Sequence, residues 1–145
     1  MKILGALLLL ASFTAYGATL SFSLANRVKK LEHLLYYITA LGEEIRISGA
    51  ELPIILSRLP HKGEYIKDGK WQGIESLKSR EKEIADDFLR TLGTTDTEGQ
   101  IKNITLYKSA LENVLTEARE EKSKLSRLYV SLFFLGGLFT VVLIV

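Results

Sequence analysis

The sequence predicts an all-α protein in which two transmembrane helices flank a small cytoplasmic helical bundle, and the last helix runs unbroken into the membrane. Three observations predict it. From Ile3 to Ala25 there are 23 consecutive residues without a charge, and Leu128 to Val145 adds 18 more. At 1.5 Å rise per residue these make helices of about 34 and about 27 Å, close to the ~30 Å hydrocarbon core of a bilayer. Of the 19 basic and 17 acidic side chains, all but Lys2 lie between Arg27 and Arg127, so charge is segregated away from the two runs. In the middle, proline occurs only at Pro53 and Pro60, no stretch alternates as a half-buried strand does, and apolar residues recur at helical spacing. The chain divides accordingly into a first span at 1–25, a cytoplasmic helical domain at 26–127 and a second span at 128–145.

The first run competes with a signal peptide, since Lys2 precedes it and Ser23-Leu24-Ala25 offers small residues for cleavage. Its length exceeds an ordinary signal core, and Arg27, Lys29 and Lys30 follow it as a stop. Arg119, Lys122, Lys124 and Arg127 flank the second run in the same way. Cations near a membrane helix are retained in the cytoplasm, so the central domain is expected there, with Met1 and Val145 on the far side.

After the first span, Val28, Leu31, Leu34/Leu35, Ile38, Leu41 and Ile45 recur at three and four residues and give one helix an apolar stripe to about Ile47, where Ser48 and Gly49 end it. Pro53 suits the first turn of a short second helix with Ile55, Leu56 and Leu59 on its buried face, closed by Pro60. His61 to Gly73 reads as a polar connector with a turn around Trp71. A third helix starts between Ile74 and Glu81 and runs through Ile84, Phe88 and Leu89 to Leu92, with Gly93 at its end. Thr95 with Glu98 three residues on matches a capping box, so a new helix starts at about Asp96. Ile101, Ile104, Leu111, Leu115, Ala118, Leu125, Tyr129 and Leu132 fit a 3.5-residue repeat from there into the second span, interrupted by Lys108 and Lys122. The seam is expected to pack on the first long helix, with a dimeric coiled coil as the alternative.

Composition excludes several functions. A net charge of +2 from interleaved signs gives no footprint for nucleic acid. No cysteine means no disulfide, thiolate metal site or cysteine nucleophile. His33 and His61 are the only histidines, the adjacent pairs Glu43-Glu44 and Asp86-Asp87 point about 100° apart on a helix, and no phosphate loop, nucleophile elbow or His-Glu-x-x-His occurs. The expectation is a non-enzyme with no cofactor, no metal and no small-molecule substrate. Spans without ionisable residues speak against an ion pathway within this subunit.

The run Lys2-Ile3-Leu4-Gly5-Ala6, then Leu41-x-x-Glu44-Ile45 with Gly49, Leu52-Pro53 and Leu56, then Leu92-Gly93-Thr94-Thr95-Asp96-Thr97-Glu98-Gly99-Gln100, Glu117-Ala118-Arg119-Glu120-Glu121 and Tyr129-x-Ser131-Leu132-x-x-Leu135-Gly136-Gly137 appear in order. In order, spacing and placement against the two apolar ends they resemble the stage III sporulation protein AB family of endospore-forming bacteria. The segment from His61 to Arg80 is shorter than in that family. The resemblance implies a cytoplasmic domain similar to the platform F protein of type II secretion, and membership of the channel complex joining mother cell to forespore. It also implies docking onto a secretion-type ATPase, the AA protein of that complex, contact between the spans and other channel-complex membrane proteins, and a place in the mother-cell membrane facing the forespore.

A docking surface should be polar and far from lipid, which favours the turns at 47–51 and 92–99 and the charged run from Lys78 to Arg90. Glu44, Asp96 and Gln100 are the best individual candidates, being polar and at family motif positions, although capping and solvation explain the same residues. From Gln100 to Leu135 there is neither glycine nor proline, so the last helix suits either a transmission rod or a passive tether.

Overall fold

The computed structural model describes residues 2–49, 51–59, 66–67 and 69–144. The element order is α1 (Lys2–Ser48), α2 (Leu52–Arg58), β1 (Ile66–Lys67), β2 (Lys70–Trp71), α3 (Ser79–Thr91) and α4 (Thr97–Ile144). The architecture is all-α, with one minimal strand pair added.

α1 is a single helix of 47 residues, so the apolar run and the amphipathic stripe belong to one element. It stops at Gly49, whose φ of +53° takes the left-handed conformation and whose N–H donates to the Ile45 carbonyl at 3.3 Å. Pro53 lies in the first turn of α2, where a missing N–H costs nothing, and Ile55 and Leu59 supply its buried face. The expected stop at Pro60, and His61, lie outside the described residues.

The connector differs from expectation. Ile66 pairs with Trp71 and Lys67 with Lys70 in an antiparallel register around a two-residue loop, and Gly69 takes φ +70°. Trp71 is buried in this pairing. Its indole N–H donates to the Ala85 carbonyl at 2.6 Å, fastening the hairpin to α3.

α3 begins later in the permitted range and turns a different face inward. Glu81, Ala85 and Phe88 are buried, while Ile84, Leu89 and Leu92 are half-buried. The Glu81 carboxylate is 1 % exposed because it accepts the Lys78 backbone N–H at 2.8 Å, satisfying an orphan donor at the helix start. The helix ends with Leu92 N–H on the Phe88 carbonyl, and Gly93 follows at φ +78°.

α4 starts one residue later than the capping box placed it. Asp96, not Thr95, is the N-cap: its Oδ1 accepts the Gly99 N–H at 3.0 Å, while its carbonyl accepts the Gln100 N–H at 2.9 Å. From Thr97 the helix continues for 48 residues.

Two compact units result. Unit 2, residues 29–116, holds the larger core: Leu31, Leu34, Ile38, Leu41 and Ile45 of α1 are buried with Ile104, Leu111, Val114 and Leu115 of α4. A Cβ on Gly42 would stand 2.9 Å from the Ile104 side chain, so glycine sets how closely these helices approach. Tyr37, Trp71, Phe88 and Tyr107 link α1, β2, α3 and α4 edge to face or tilted, with centroids 5.8, 6.2 and 5.6 Å apart in turn. Ile104, Leu111 and Leu115 are buried against the chain's own elements, and Leu125 is half-buried.

Unit 1, residues 1–28 with 117–145, is an antiparallel helix pair. Its register departs from the heptad: Leu132 is exposed, whereas Phe133 and Gly137 face α1. The contact row on α4 passes through Ser126, Tyr129, Phe133 and Gly137, off the heptad position of Leu132.

Candidate functional site

The expected docking turns come together within unit 2. A Cβ on Gly93 would lie 3.2 Å from the Leu52 side chain, and a small cleft is lined by Ile45, Gly49, Leu52, Ile55, Thr97 and Gln100. The end of α1, the start of α2, the turn after α3 and the start of α4 therefore share one end of this unit. Two left-handed glycines turn the chain there, Gly49 and Gly93.

The three candidate residues fare differently. Gln100 lines the cleft, and its Nε2 donates back to the Thr95 carbonyl at 3.0 Å. Asp96 is exposed yet engaged in the cap, so its carboxylate closes the first turn of α4. Gly99 completes this cap: a Cβ there would come within 2.8 to 2.9 Å of the Thr95 hydroxyl and Asp96 Oδ1. Glu44 is half-buried on α1, one residue before Ile45 of the cleft, and its carbonyl accepts the Ser48 hydroxyl. Around them, Ile47 and Ile54 are exposed, so this end presents apolar as well as polar surface.

Of the charged run on α3, Glu81 faces inward and is removed from any docking surface. Asp86 and Arg90 remain outside and line an open groove of about 510 Å³ with Gly69, Lys70, Trp71 and Leu89. Sequence reasoning missed this groove because it read 61–73 as a polar connector with no more than a turn around Trp71; the Asp68-Gly69 pair was the available signal, being a favoured two-residue hairpin loop.

Unit 1 contains a site that the sequence reading used only for orientation. Arg27 is 7 % exposed, and its guanidinium donates to Glu121 on α4 at 2.5 Å. One and a half turns further into the apolar part, the hydroxyls of Ser21 and Ser126 hydrogen-bond to each other. Beyond them Gly17 admits Phe133, Tyr16 meets Phe133 edge to face at 5.3 Å, and Gly137 admits Leu10. Leu4, Leu7, Leu8, Phe22, Leu135 and Phe139 are exposed. Two helices in the molecule are thus long and apolar enough to cross a membrane.

Electrostatics elsewhere are quiet. Burial pushes the Tyr37 phenol above its ordinary range, and among the described residues no group of three His, Asp or Glu side chains is arranged to hold a metal ion. His33 lies exposed on α1.

Comparison with known proteins gives one match. The family model of stage III sporulation protein AB covers residues 2–69 and 68–145, the whole length of the chain to within a residue. No curated protein and no solved structure matches it.

Proposed function

The chain belongs to the stage III sporulation protein AB family and so has its role in stage III of sporulation, and from that premise we propose that it is a non-enzymatic platform component of the channel complex between mother cell and forespore. In this reading α1 and α4 cross the membrane, residues 26–127 lie in the mother-cell cytoplasm, and that domain docks a secretion-type ATPase in the manner of the type II secretion F protein. The protein needs no cofactor, binds neither nucleic acid nor a small-molecule substrate, and meets other channel-complex membrane proteins through its spans.

The observation that supports it most is the continuity of α1 and α4, each passing from an outward-facing apolar segment into a packed polar-surfaced unit without a break. A helix that does this ties a docking domain covalently to a membrane span. The docking end is assigned to the turns at 47–51 and 92–99, with Glu44 and Gln100 beside the cleft and Asp96 maintaining the turn.

An in-frame deletion in the host tests the role. Arrest after engulfment, with small forespores and no mature spores, is the expected phenotype; normal spores would remove the protein from the channel. Copurification of the secretion-type ATPase with the full chain, reduced tenfold or more by Glu44→Lys together with Gln100→Lys, tests the docking end.

A further inference from the structure

We propose that the outward face of α4 immediately before the second apolar run is a binding site for the phosphate of anionic lipid headgroups, built from Ser123, Lys124 and Arg127. The proposal rests on the membrane-spanning reading of α1 and α4. Within the helix, Ser123 and Arg127 are four residues apart and Lys124 and Arg127 three apart, so the three side chains share one face. All three are exposed. The opposite face of the same turns is the one against α1, where Glu121 is held by Arg27.

That pairing decides the sign of the outer surface. Residues 117–127 contain three carboxylates and four cations; Glu121 is turned into the helix pair by Arg27, which leaves Glu120 as the carboxylate beside Lys124. Glu120 lies 3.7 Å from Lys124 in an exposed i,i+4 contact, which holds little energy and exchanges readily for a stronger partner. Arg127 makes no ion pair among the described residues, and Ser123 is exposed beside it. Arg127 stands one residue before the uncharged run, so its guanidinium fork lies at headgroup depth and matches a phosphate with two parallel N–H donors. Lys124 is about 4.5 Å further from the lipid along the axis, within reach for a long side chain that extends toward the interface. The hydroxyl, the ammonium and the guanidinium on this face can each donate to a phosphate oxygen, which takes the place of Glu120 at Lys124.

Electrostatic attraction to an anionic leaflet amounts to about fivefold in partition per cation. The test uses the full chain reconstituted in phosphatidylcholine vesicles, with trace spin-labelled phosphatidylglycerol or phosphatidylcholine reporting lipid immobilised at the protein. The wild type is expected to hold the phosphatidylglycerol label at least about fivefold more strongly at low salt. In Lys124→Gln/Arg127→Gln the preference should fall to near unity, while Lys102→Gln, on an exposed site far along the helix, leaves it unchanged. Immobilised lipid with equal affinity for both labels, or a preference that survives in the double variant, overturns the headgroup site. Competition of the preference by millimolar inorganic phosphate assigns the site to free phosphate and overturns it as well. No immobilised lipid of either kind overturns the membrane-spanning reading itself.

Discussion

At the residue scale, the start of α4 depends on two positions, Asp96 and Gly99, where simple helix propensity and the cap pull in opposite directions. Replacing Asp96 by Ala deletes the N-cap acceptor and is expected to cost about 1 kcal/mol, seen as a lower thermal midpoint, whereas Asp96→Ser should retain most of the stability. Gly99→Ala is the sharper experiment. Alanine improves helix propensity by about 1 kcal/mol over glycine in a helix interior, yet here its Cβ would press on the Thr95 hydroxyl and Asp96 Oδ1. A lower midpoint for Gly99→Ala would show that the cap governs this position; a higher one would show that Thr95 and Asp96 yield. Tyr37 gives a pH test. Burial raises its folded pKa above the unfolded value of about 10. Its neutral form therefore contributes stability that is present below about pH 10 and is lost as pH rises through the folded pKa. Ultraviolet titration should show one phenol ionising after the exposed tyrosines, and that late phase should vanish in Tyr37→Phe.

At the element scale, the helix pair of unit 1 is keyed by unlike devices along one contact row. The Arg27–Glu121 pair lies at its charged end, the two serine hydroxyls in its middle, and Gly17 and Gly137 at the two close approaches. Van der Waals packing and polar contacts are what hold helices together where lipid is as apolar as leucine. Truncating Arg27 to Ala strands a partly buried carboxylate and is expected to cost about 2 kcal/mol in detergent unfolding. Exchanging the pair, Arg27→Glu with Glu121→Arg, should recover at least half of that loss. The register itself is checked by Ser21→Cys with Ser126→Cys, since the natural chain has no cysteine. Oxidation should give a disulfide within one chain, visible as a faster-migrating monomer. A cross-linked dimer instead would mean that the pair forms between copies.

For the whole molecule, two long helices each belong to both compact units, so α1 and α4 are the covalent links between the apolar pair and the bundle. From Gln100 to Leu135 α4 contains neither glycine nor proline, the residues that most readily interrupt a helix. Three glycines inserted after Leu125 are expected to abolish mature spores while leaving the protein level in the membrane unchanged, which is how a transmission rod responds. Normal sporulation from that variant would make α4 a tether.

What the sequence determined by itself about this protein are the features that depend on local order along the chain. The two uncharged runs, the helical period of Leu31 to Ile45, Pro53 in a first turn, and glycines at the ends of α1 and α3 were all legible, because burial patterns and helix ends follow from near neighbours. The candidate site was legible only in part: Gln100 reaches the cleft, but whether Asp96 was a docking group or a cap depended on where Gly99 placed its N–H. Tertiary structure alone decided that Glu81 is inside, that Trp71 anchors a hairpin to α3, that Phe133 and not Leu132 meets α1, and that Arg27 holds Glu121. Each of those outcomes pairs residues between 14 and 116 positions apart or buries an acidic side chain against its ordinary preference. The free energy that selects them comes from partners on other elements, which no local pattern contains.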